Sequence, residues 1–417
     1  MKKRVLTVLL ALLMVVSLVL PTAAAVQIEV LAEDIGSIGL LQDGVSSALV
    51  IEQFSADLVN FEDFARDLNA LGLFQGVGGG NFALDRAPTR AEALVMLIRL
   101  LGAEEAALAG SYTHPFTDVS GWATPYIAFA YEYGLTNGTS STTFGPNAAA
   151  TAQQYVTFVL RALGYSDAPG GDFTFANALN FGMNQVGVWH PILADGPFLR
   201  GHVAAVSFLG VAAFMADEDY MLLEVLVAEG VVSASAAAPI LQRIDNYDLY
   251  LALEDVLARS TVTGGTSRET TTISATVNGQ NVTETVTIDH PLPTDLVAWM
   301  DFDTFGAFST LVLLTEIDQV AAGNERVLVL TFRDAFFASW LSAITSGIAD
   351  ALAAELGTAV SVVGTPTGSF EERVTIISDR VTAVSMHTQL NMVILVEGVQ
   401  MTINMDWPIN LNVAFQG

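Results

Sequence analysis

The feature that most restricts how this chain can fold is an internal repeat. When the sequence is shifted by 62 residues, Leu71-Gly72-Leu73 aligns with Tyr133-Gly134-Leu135 without a gap. The same register aligns Gly76 with Gly138, Phe82 with Phe144, Thr89 with Thr151, Arg99 with Arg161, and Leu101-Gly102 with Leu163-Gly164. A unit of this length cannot bury its apolar face alone, so the copies must pack on one another.

Each copy is predicted to be a helix–loop–helix unit. In the second copy the apolar spacing predicts a helix that begins at Trp122 and that Gly134 ends. After the loop, Thr151 is followed three residues later by Gln154, which is the spacing of a capping box at a helix start. The first copy has this spacing in the tetrad Thr89-Arg90-Ala91-Glu92.

A third, weaker copy follows at a shift of 48 residues. Gly182 aligns with Gly134, and Leu199-Arg200-Gly201-His202 aligns with Thr151-Ala152-Gln153-Gln154, whereas Val186 stands where the loop glycine is expected. The sequence therefore predicts an all-α module of three units, 53–110, 111–168 and a degenerate 169–216.

Motifs of the second copy resemble the S-layer homology family. They are Phe116-Thr117-Asp118-Val119, Trp122-Ala123, Asn137-Gly138 and Phe144-Gly145-Pro146, and the first-copy tetrad around Arg90 matches that family as well. The resemblance covers roughly residues 53–215. It implies a pseudo-threefold arrangement of three units, whose grooves bind a pyruvylated secondary polysaccharide of the bacterial cell wall.

The resemblance also implies which side chains form such a groove. Arg90 would pair with the ketal carboxylate, and a guanidinium at a helix N-terminus offers both bidentate hydrogen bonds and a favourable dipole. The loop glycine and the preceding aspartate and tryptophan would shape the groove. The candidate glycan-binding residues are Thr89, Arg90, Glu92, Gly76, Asp118, Trp122, Gly138 and Arg200.

Three of these residues also have simpler interpretations. Arg90 could be an exposed helix arginine that pairs with Glu92 or Asp85. Trp122 could anchor the core instead of contacting a sugar. Asp118 could cap the helix that begins near Trp122.

The other two tetrads depart from the pattern of the first. Ala152 takes the place of the arginine in the second tetrad. The third tetrad has Arg200, but Leu199 and His202 replace its threonine and its acid. We therefore expect one intact groove, or two.

The N-terminus has the pattern of a secretory signal peptide. The basic start Met1-Lys2-Lys3-Arg4 precedes an apolar run over 5–20, and Thr22-Ala23-Ala24-Ala25 supplies small residues for cleavage after Ala25. An uncleaved membrane anchor is the alternative. No transmembrane segment is expected after cleavage, because the uncharged stretch over 335–349 is too short to cross a bilayer.

Charge and composition exclude several kinds of partner. Sixteen basic residues against 44 acidic ones give a net charge of −28, and losing the leader removes three basic and no acidic residues, which takes it to −31. So acidic a chain is poorly suited to nucleic acid or to an anionic membrane. The absence of cysteine excludes disulfides and thiolate sites.

The C-terminal part is predicted to be an α+β domain, and we identify no family motif in it. The preceding segments are a lead-in over 26–52, a helical extension over 217–260, and a Gly/Thr/Ser-rich linker over 261–269. Over 270–417 the pattern changes to period two, with hairpin turns at Asn278-Gly279 and Glu397-Gly398. One apolar helix, Asp334 to Leu356, is expected to pack against an antiparallel sheet.

The search for catalytic motifs points away from an enzyme. The five histidines are scattered, and neither a nucleophile elbow nor a phosphate-binding glycine loop occurs. The sequence predicts an exported protein without a cofactor, anchored to wall polysaccharide at the cell surface and open to self-assembly in an envelope layer. The rival hypothesis is a lipid- or small-molecule-binding envelope protein, in which Phe336, Phe337, Trp340, Leu341 and Ile344 line a cavity.

Overall fold

A computed structural model describes residues 59–194, 196–259, 262–277, 279–291, 312–313, 315–322, 325–377, 380–396 and 398–415. The predicted leader over 1–25 and the lead-in over 26–52 lie outside them. The chain divides into two compact units, one with the described residues of 59–247 and 312–313, and one with those of 248–291 and 315–415.

The first unit is helical. Its helices are α1 Phe61–Ala70, α2 Arg90–Leu100, α3 Glu104–Ala109, α4 Thr124–Glu132, α5 Ala152–Ala162, α6 Ala178–Phe181, α7 Arg200–Val211 and α8 Leu222–Ala228. A long helix, α9 Ala234–Arg259, begins in this unit and continues past its boundary.

Side-chain caps fix where α2 and α5 begin. Thr89 Oγ1 accepts the N–H of Glu92 at 3.2 Å, while the N–H of Thr89 donates to the Glu92 carboxylate at 2.8 Å. Thr151 and Gln154 exchange the same two bonds at 3.2 and 3.3 Å. Both predicted capping boxes are therefore confirmed.

Helix α7 begins with half of such a box. Leu199 has no side-chain acceptor, but its N–H donates to Nδ1 of His202 at 2.9 Å. The imidazole is buried and contacts the rings of Phe61 and Phe198. His202 thus supplies the bond that Glu92 supplies to the first tetrad.

The core of this unit is formed around α7, whose twelve residues are all buried. Helix α1 packs against α7 through Phe64 and Phe208, whose ring centroids lie 5.2 Å apart. Helix α5 contacts α7 as well, and the buried hydroxyl of Tyr155 lies 2.6 Å from Ser207 Oγ. Burial raises the pKa of Tyr155 well above its usual range, so this hydrogen bond is between neutral hydroxyls.

The second unit is an antiparallel sheet with one long helix. Its strands are β1 Val262–Val277, β2 Gln280–Pro291, β3 Thr315–Ala322, β4 Glu325–Phe332, β5 Val360–Val362, β6 Thr367–Ile377, β7 Arg380–Val396 and β8 Val399–Phe415. They follow the order β2-β1-β8-β7-β6-β4-β3, and β5 also pairs with β7. The helix, α10 Asp334–Leu356, contacts β5, β6 and β7.

Both predicted hairpins and the predicted bounds of α10 are confirmed. Val277 lies opposite Gln280 across the first turn, and Val396 lies opposite Val399 across the second. Gly279 and Gly398 have φ of 73° and 78°, a conformation that costs glycine little.

The period-two pattern predicts separate strands over 381–390 and 392–396, and again over 399–405 and 409–415, but the last two form one continuous strand, β8. It passes through Pro408, which lies opposite His387 of β7. On its other side the ladder to β1 is interrupted there, between the pairs Thr272–Asp406 and Glu269–Ile409. Strand β7 is likewise one strand where the sequence predicts two.

The predicted linker over 261–269 is wrong, because β1 begins at Val262. Residues 266–269 pair with both β2 and β8. A Gly/Thr/Ser composition is typical of linkers, but threonine is β-branched and is well suited to a strand that has two neighbours. The two glycines lie beside a register shift between Val262 and Gly264.

Helix α10 also corrects the expectation that no segment after the leader could span a membrane. Its stretch Phe336–Ala354 has 19 residues and is apolar enough to do so by length and composition alone. The core helix of a soluble protein passes the same test, and α10 contacts the three strands β5, β6 and β7.

Candidate functional site

The start of α2 lies against the second-repeat loop, which we define as residues 138–148. The N–H of Arg90 donates to Ala148 O at 2.8 Å, and the N–H of Ala91 donates to Pro146 O at 3.1 Å. The first N–H groups of a helix have no partner within it. The loop of one copy therefore accepts hydrogen bonds from the first N–H groups of the helix that begins at the tetrad of another copy. We call such a helix a tetrad helix.

The start of α7 makes the same contact with the first-repeat loop, the equivalent residues 76–86. The N–H groups of Arg200 and Gly201 donate to Arg86 O and Leu84 O, both at 2.9 Å. Adding the repeat shift of 62 to the residue numbers of these two acceptors gives Ala148 and Pro146, the acceptors at the start of α2. The two junctions are thus equivalent, and the side chains of their arginines can be compared directly.

The Arg90 side chain lies between two aromatic rings. Only 4% of the residue is exposed, and Cζ lies 4.8 Å from the Phe144 centroid and 4.9 Å from that of Phe158. Within the described residues its buried Nε has no hydrogen-bond partner, and no carboxylate pairs with the guanidinium. Burial, with a smaller contribution from nearby Arg161, lowers the pKa of Arg90 to about 10, so it is charged at neutral pH.

The alternative interpretation of Arg90 is therefore wrong. The residue is buried, and Glu92 pairs instead with Arg86, whose Nη1 lies 2.9 Å from Oε2. Glu92 and Thr89 hold the start of α2 through the capping box. The result at the second-repeat loop is a buried cation without a counterion among the described residues.

Arg161 is the other cation near this loop, and its charge is compensated. Its guanidinium forms a fork with Asp167, with Nε–Oδ1 at 3.0 Å and Nη2–Oδ2 at 2.6 Å. Nη1 donates to Leu135 O at 3.2 Å. The uncompensated charge at this junction therefore belongs to Arg90.

Arg200 is buried at the equivalent junction, but its donors are used. Nε donates to Phe82 O at 2.9 Å, Nη2 donates to Gln75 O at 3.0 Å, and Nη1 lies 3.3 Å from the sulfur of Met96. Its Cζ lies over the Phe74 ring at 5.4 Å. These contacts hold the first-repeat loop, so the two tetrad arginines have different surroundings in equivalent positions.

Asp118 fixes the conformation of the second-repeat loop. Its carboxylate accepts the N–H groups of Phe144 and Gly145, each at 2.8 Å. The helix-cap alternative is wrong, since neither the short turn at Gly121–Ala123 nor α4 receives a side-chain cap. Asp118 thereby positions the Phe144 ring against Arg90.

Replacing Asp118 with alanine is expected to lower the free energy of unfolding by about 1 kcal/mol at neutral pH, because two backbone donors lose their acceptor. Burial alone would raise the pKa of Asp118, but the N–H groups of Phe144 and Gly145 outweigh it and hold the pKa below its usual value. The contribution is therefore present above the ordinary aspartate pKa and is lost as the pH falls through the folded value. Urea unfolding of both proteins at pH 7 and pH 3 checks this, and a difference that stays constant would contradict it.

The two loop glycines are required by close backbone approach. At Gly138, which has φ of 75°, a Cβ would lie 2.6 Å from Thr143 O and 2.7 Å from Ser140 O. At Gly76 a Cβ would lie 2.5 Å from Asn81 O. Gly138 belongs to the loop that faces Arg90, and Gly76 follows Gln75 in the loop that Arg200 holds.

Trp122 is 59% exposed, so the interpretation as a core anchor is wrong. Its indole pairs edge-on with the Tyr126 ring at 6.3 Å. The structure thus brings Arg90, Asp118 and Gly138 to one loop. Trp122 lies on the surface, in the short turn Gly121–Ala123 that precedes α4.

Sequence reasoning missed the two rings that enclose Arg90. Phe144 was a repeat match and Phe158 is a buried residue of α5, but neither carried a signal that it would meet an arginine. The match of Phe82 with Phe144 was the available hint, because both rings belong to loops that receive a tetrad helix.

In the second unit, three of the predicted cavity residues, Phe336, Phe337 and Trp340, belong to an aromatic cluster. Phe332 stacks on Phe370 at 4.4 Å and also contacts Phe336 and Trp340. A cleft of about 280 Å³ between α10 and β5 is lined mainly by small and polar residues, among them Ser346 and Asp350. In the described residues, therefore, the rings contact one another as in a core, and the cleft lacks the lining expected for a lipid.

Comparison with known proteins gives a match at the second repeat. Residues 115–155 match the S-layer homology domain, a range that contains Asp118, Trp122, Gly138 and the second tetrad. Arg90 and Arg200 lie outside that range.

Several known proteins are similar to part of this chain. A cell surface protein of Thermoanaerobacter kivui is 36% identical over 130 residues, which cover 28% of this chain and 17% of that protein. A surface layer protein of Brevibacillus choshinensis is 32% identical over 112 residues, which cover 26% of this chain and 10% of that protein. An endoglucanase of Bacillus sp. (strain KSM-635) is 34% identical over 102 residues, which cover 24% of this chain and 10% of that protein.

The similarity spans less than a fifth of the length of each relative. It agrees with the repeat motifs and with the family match in pointing to the cell envelope. This chain therefore carries a segment, residues 115–155, that matches the S-layer homology domain, and it is similar in part to proteins of the cell surface.

Proposed function

We propose that the helical repeats anchor this protein non-covalently to a pyruvylated secondary cell-wall polysaccharide. The main groove lies where the start of α2 meets the second-repeat loop, and Arg90 is the counterion of the ketal carboxylate. The C-terminal α+β domain is displayed outward as a binding or structural domain. Three units in pseudo-threefold arrangement form the anchor.

The observation that carries this proposal is the uncompensated charge of Arg90. Burying a charge without a partner costs several kcal/mol, so such a site persists where a ligand supplies the opposite charge. A carboxylate matches the fork of a guanidinium. The start of α2 adds a favourable dipole at the same place.

The surroundings of Arg90 favour a single carboxylate over a larger anion. Arg161 is already paired with Asp167, and Arg86 is paired with Glu92. One unit of positive charge therefore remains for the ligand. Phe144 and Phe158 hold the guanidinium from both sides, so little side-chain entropy is lost when it binds.

The equivalent junction at Arg200 supports a structural role. Its donors already bind Phe82 O and Gln75 O, which leaves the guanidinium less able to accept a ligand. The second tetrad has no arginine. We therefore propose one main groove, with the other two junctions serving chiefly to hold the repeats together.

The proposal assigns no catalysis to the protein. Surface proteins and an endoglucanase all share similarity with this chain. A property common to proteins with such different names is more simply attachment than chemistry. The repeats would then locate whatever domain they carry.

Cosedimentation with bacterial wall sacculi tests the anchor. The chain without residues 1–25 is expected to pellet with intact sacculi and to stay in solution with sacculi from which the secondary polymer has been chemically removed. A second stripped sample that keeps the polymer but loses its pyruvyl group separates recognition of the ketal from recognition of the glycan. Equal binding to all three preparations would refute the proposal.

A further inference from the structure

Two tyrosines on the surface of the helical unit have their rings in contact. Tyr112 lies between α3 and α4, and Tyr133 directly follows the last residue of α4. The two ring centroids lie 5.9 Å apart, and the ring planes meet at 69°. Tyr133 is 61% exposed and Tyr112 is partly exposed, so small molecules in the solvent can reach both rings.

A buried phenylalanine packs against both of these rings. Phe129 of α4 is buried, and its ring centroid lies 4.4 Å from that of Tyr133 and 5.3 Å from that of Tyr112. Aromatic rings at such distances attract one another. Phe129 therefore keeps the two phenols together although both are open to solvent.

The hydroxyl groups of the two tyrosines also lie close together. A hydrogen bond with Tyr133 is the main cause that raises the pKa of Tyr112, and the charge of Glu132 contributes to the same shift. Tyr112 is therefore protonated at neutral pH. Since the hydroxyls are neighbours, the Cε carbons beside them are brought near each other as well, and these are the ring carbons that couple when phenols are oxidised.

We propose that Tyr112 and Tyr133 form an oxidative cross-linking site, at which a peroxide and a peroxidase join the two rings as dityrosine. Each phenol gives one electron and its hydroxyl proton to the oxidant, and the two radicals form one carbon–carbon bond between Cε atoms. The hydrogen on each of these carbons then moves to the phenol oxygen. Two phenols and one hydrogen peroxide thus give one biaryl and two waters.

The other tyrosines are not paired in this way. Tyr131 and Tyr165 contact the rings of Phe116 and Phe181 instead. Tyr220 is exposed but contacts no other ring within the described residues. Four more are buried, namely Tyr126, Tyr155, Tyr247 and Tyr250. In the part of the chain that the structure describes, two exposed tyrosine rings are therefore in contact only at this pair.

A cross-link between these tyrosines would stabilise the segment that positions the second-repeat loop. Between them lie Phe116, whose ring centroid is 5.8 Å from that of Phe144, and Asp118, which accepts two N–H groups of the loop. The chain has no cysteine, so a disulfide cannot do this. A covalent ring closed between positions 112 and 133 restricts the unfolded chain, and it is expected to raise the stability of the helical unit.

Oxidation of the chain without residues 1–25, with hydrogen peroxide and a haem peroxidase at low protein concentration, tests the proposal. Cleavage after glutamate and arginine separates Tyr112, in peptide 106–132, from Tyr133, in peptide 133–161. After oxidation of the wild type, mass spectrometry is expected to find the two peptides joined, at their summed mass less two hydrogens. The midpoint of thermal unfolding is expected to rise by about 5 °C or more.

Two conservative variants serve as the comparison. Tyr133→Phe keeps the ring that packs on Phe129 but removes the hydroxyl, so the joined peptides and the rise in the midpoint should both disappear. Tyr131→Phe removes an exposed hydroxyl from the same helix and should leave the yield of joined peptides unchanged. Oxidation of methionine affects both variants and the wild type alike, and it is corrected for by treating all three together.

An equal yield of joined peptides in the wild type and in Tyr133→Phe would overturn the proposal, since the coupling would then involve other tyrosines. An oxidised wild type that contains cross-links only between chains, or none, would overturn it as well. Neither result bears on wall binding by the repeats, because the sacculi assay measures that separately.

Discussion

Replacing Arg90 with methionine is expected to abolish wall binding while leaving the fold intact. Removing one member of a desolvated charge pair costs a complex about 2–5 kcal/mol, so the affinity for intact sacculi should fall about 30-fold or more. In the free protein the same change removes a buried charge that has no counterion among the described residues. The free energy of unfolding should therefore rise, by about 1 kcal/mol once the lost contacts with two aromatic rings are subtracted.

This combination of lost binding and gained stability distinguishes a ligand site from a structural arginine. The matched control is Arg66→Met, since Arg66 is an exposed arginine of α1 that pairs with Glu62. It removes the same charge and is expected to change neither binding nor stability appreciably. Cosedimentation and thermal unfolding of both variants check the prediction. A clear loss of stability in Arg90→Met would show that the guanidinium serves the fold.

Replacing Gly138 with alanine is expected to destabilise the helical unit strongly. The new Cβ would lie within 2.7 Å of two carbonyl oxygens in the same loop, at a residue with φ of 75°. The clash and the left-handed backbone together should lower the free energy of unfolding by about 3–5 kcal/mol. Because that loop holds Phe144 against Arg90, wall binding should weaken as well.

Gly134→Ala provides the control for the backbone conformation alone. Gly134 has φ of 70°, but a Cβ there would have nothing within 4 Å. Its cost should be about 1–2 kcal/mol, the cost of a left-handed conformation in an alanine. Urea unfolding measures both variants. Equal losses at the two positions would mean that close approach in the second-repeat loop contributes nothing.

Features of this fold that depend on neighbouring residues were predictable from the sequence. The capping boxes at Thr89 and Thr151 follow from a hydroxyl and an acceptor three residues apart. The two hairpins follow from glycines that take a positive φ. The bounds of α10 follow from an uncharged run between Asp334 and Asp350 and from the Gly357 that ends the helix.

The surroundings of Arg90 were not predictable in this way. Phe144 is 54 positions away along the chain, and Phe158 belongs to the next tetrad helix. Local patterns place Arg90 at a helix start, where an arginine is ordinarily exposed, and tertiary packing buries it. The continuity of β8 has the same origin, since its pairing with β7 extends past Pro408, a residue that by itself indicates a break.

The bond from Arg200 to Phe82 spans 118 positions of the chain and brings the last tetrad helix to the first loop. The first tetrad helix meets the second loop, and α5 contacts α6 in the third segment, so the junctions form a closed circuit. An open solenoid can gain or lose a terminal unit at modest cost, whereas a closed circuit loses two junctions whenever one unit is removed. If the repeats act as the proposed anchor, we expect its size to be limited to three units, and joining their ends while cutting between units should preserve every junction.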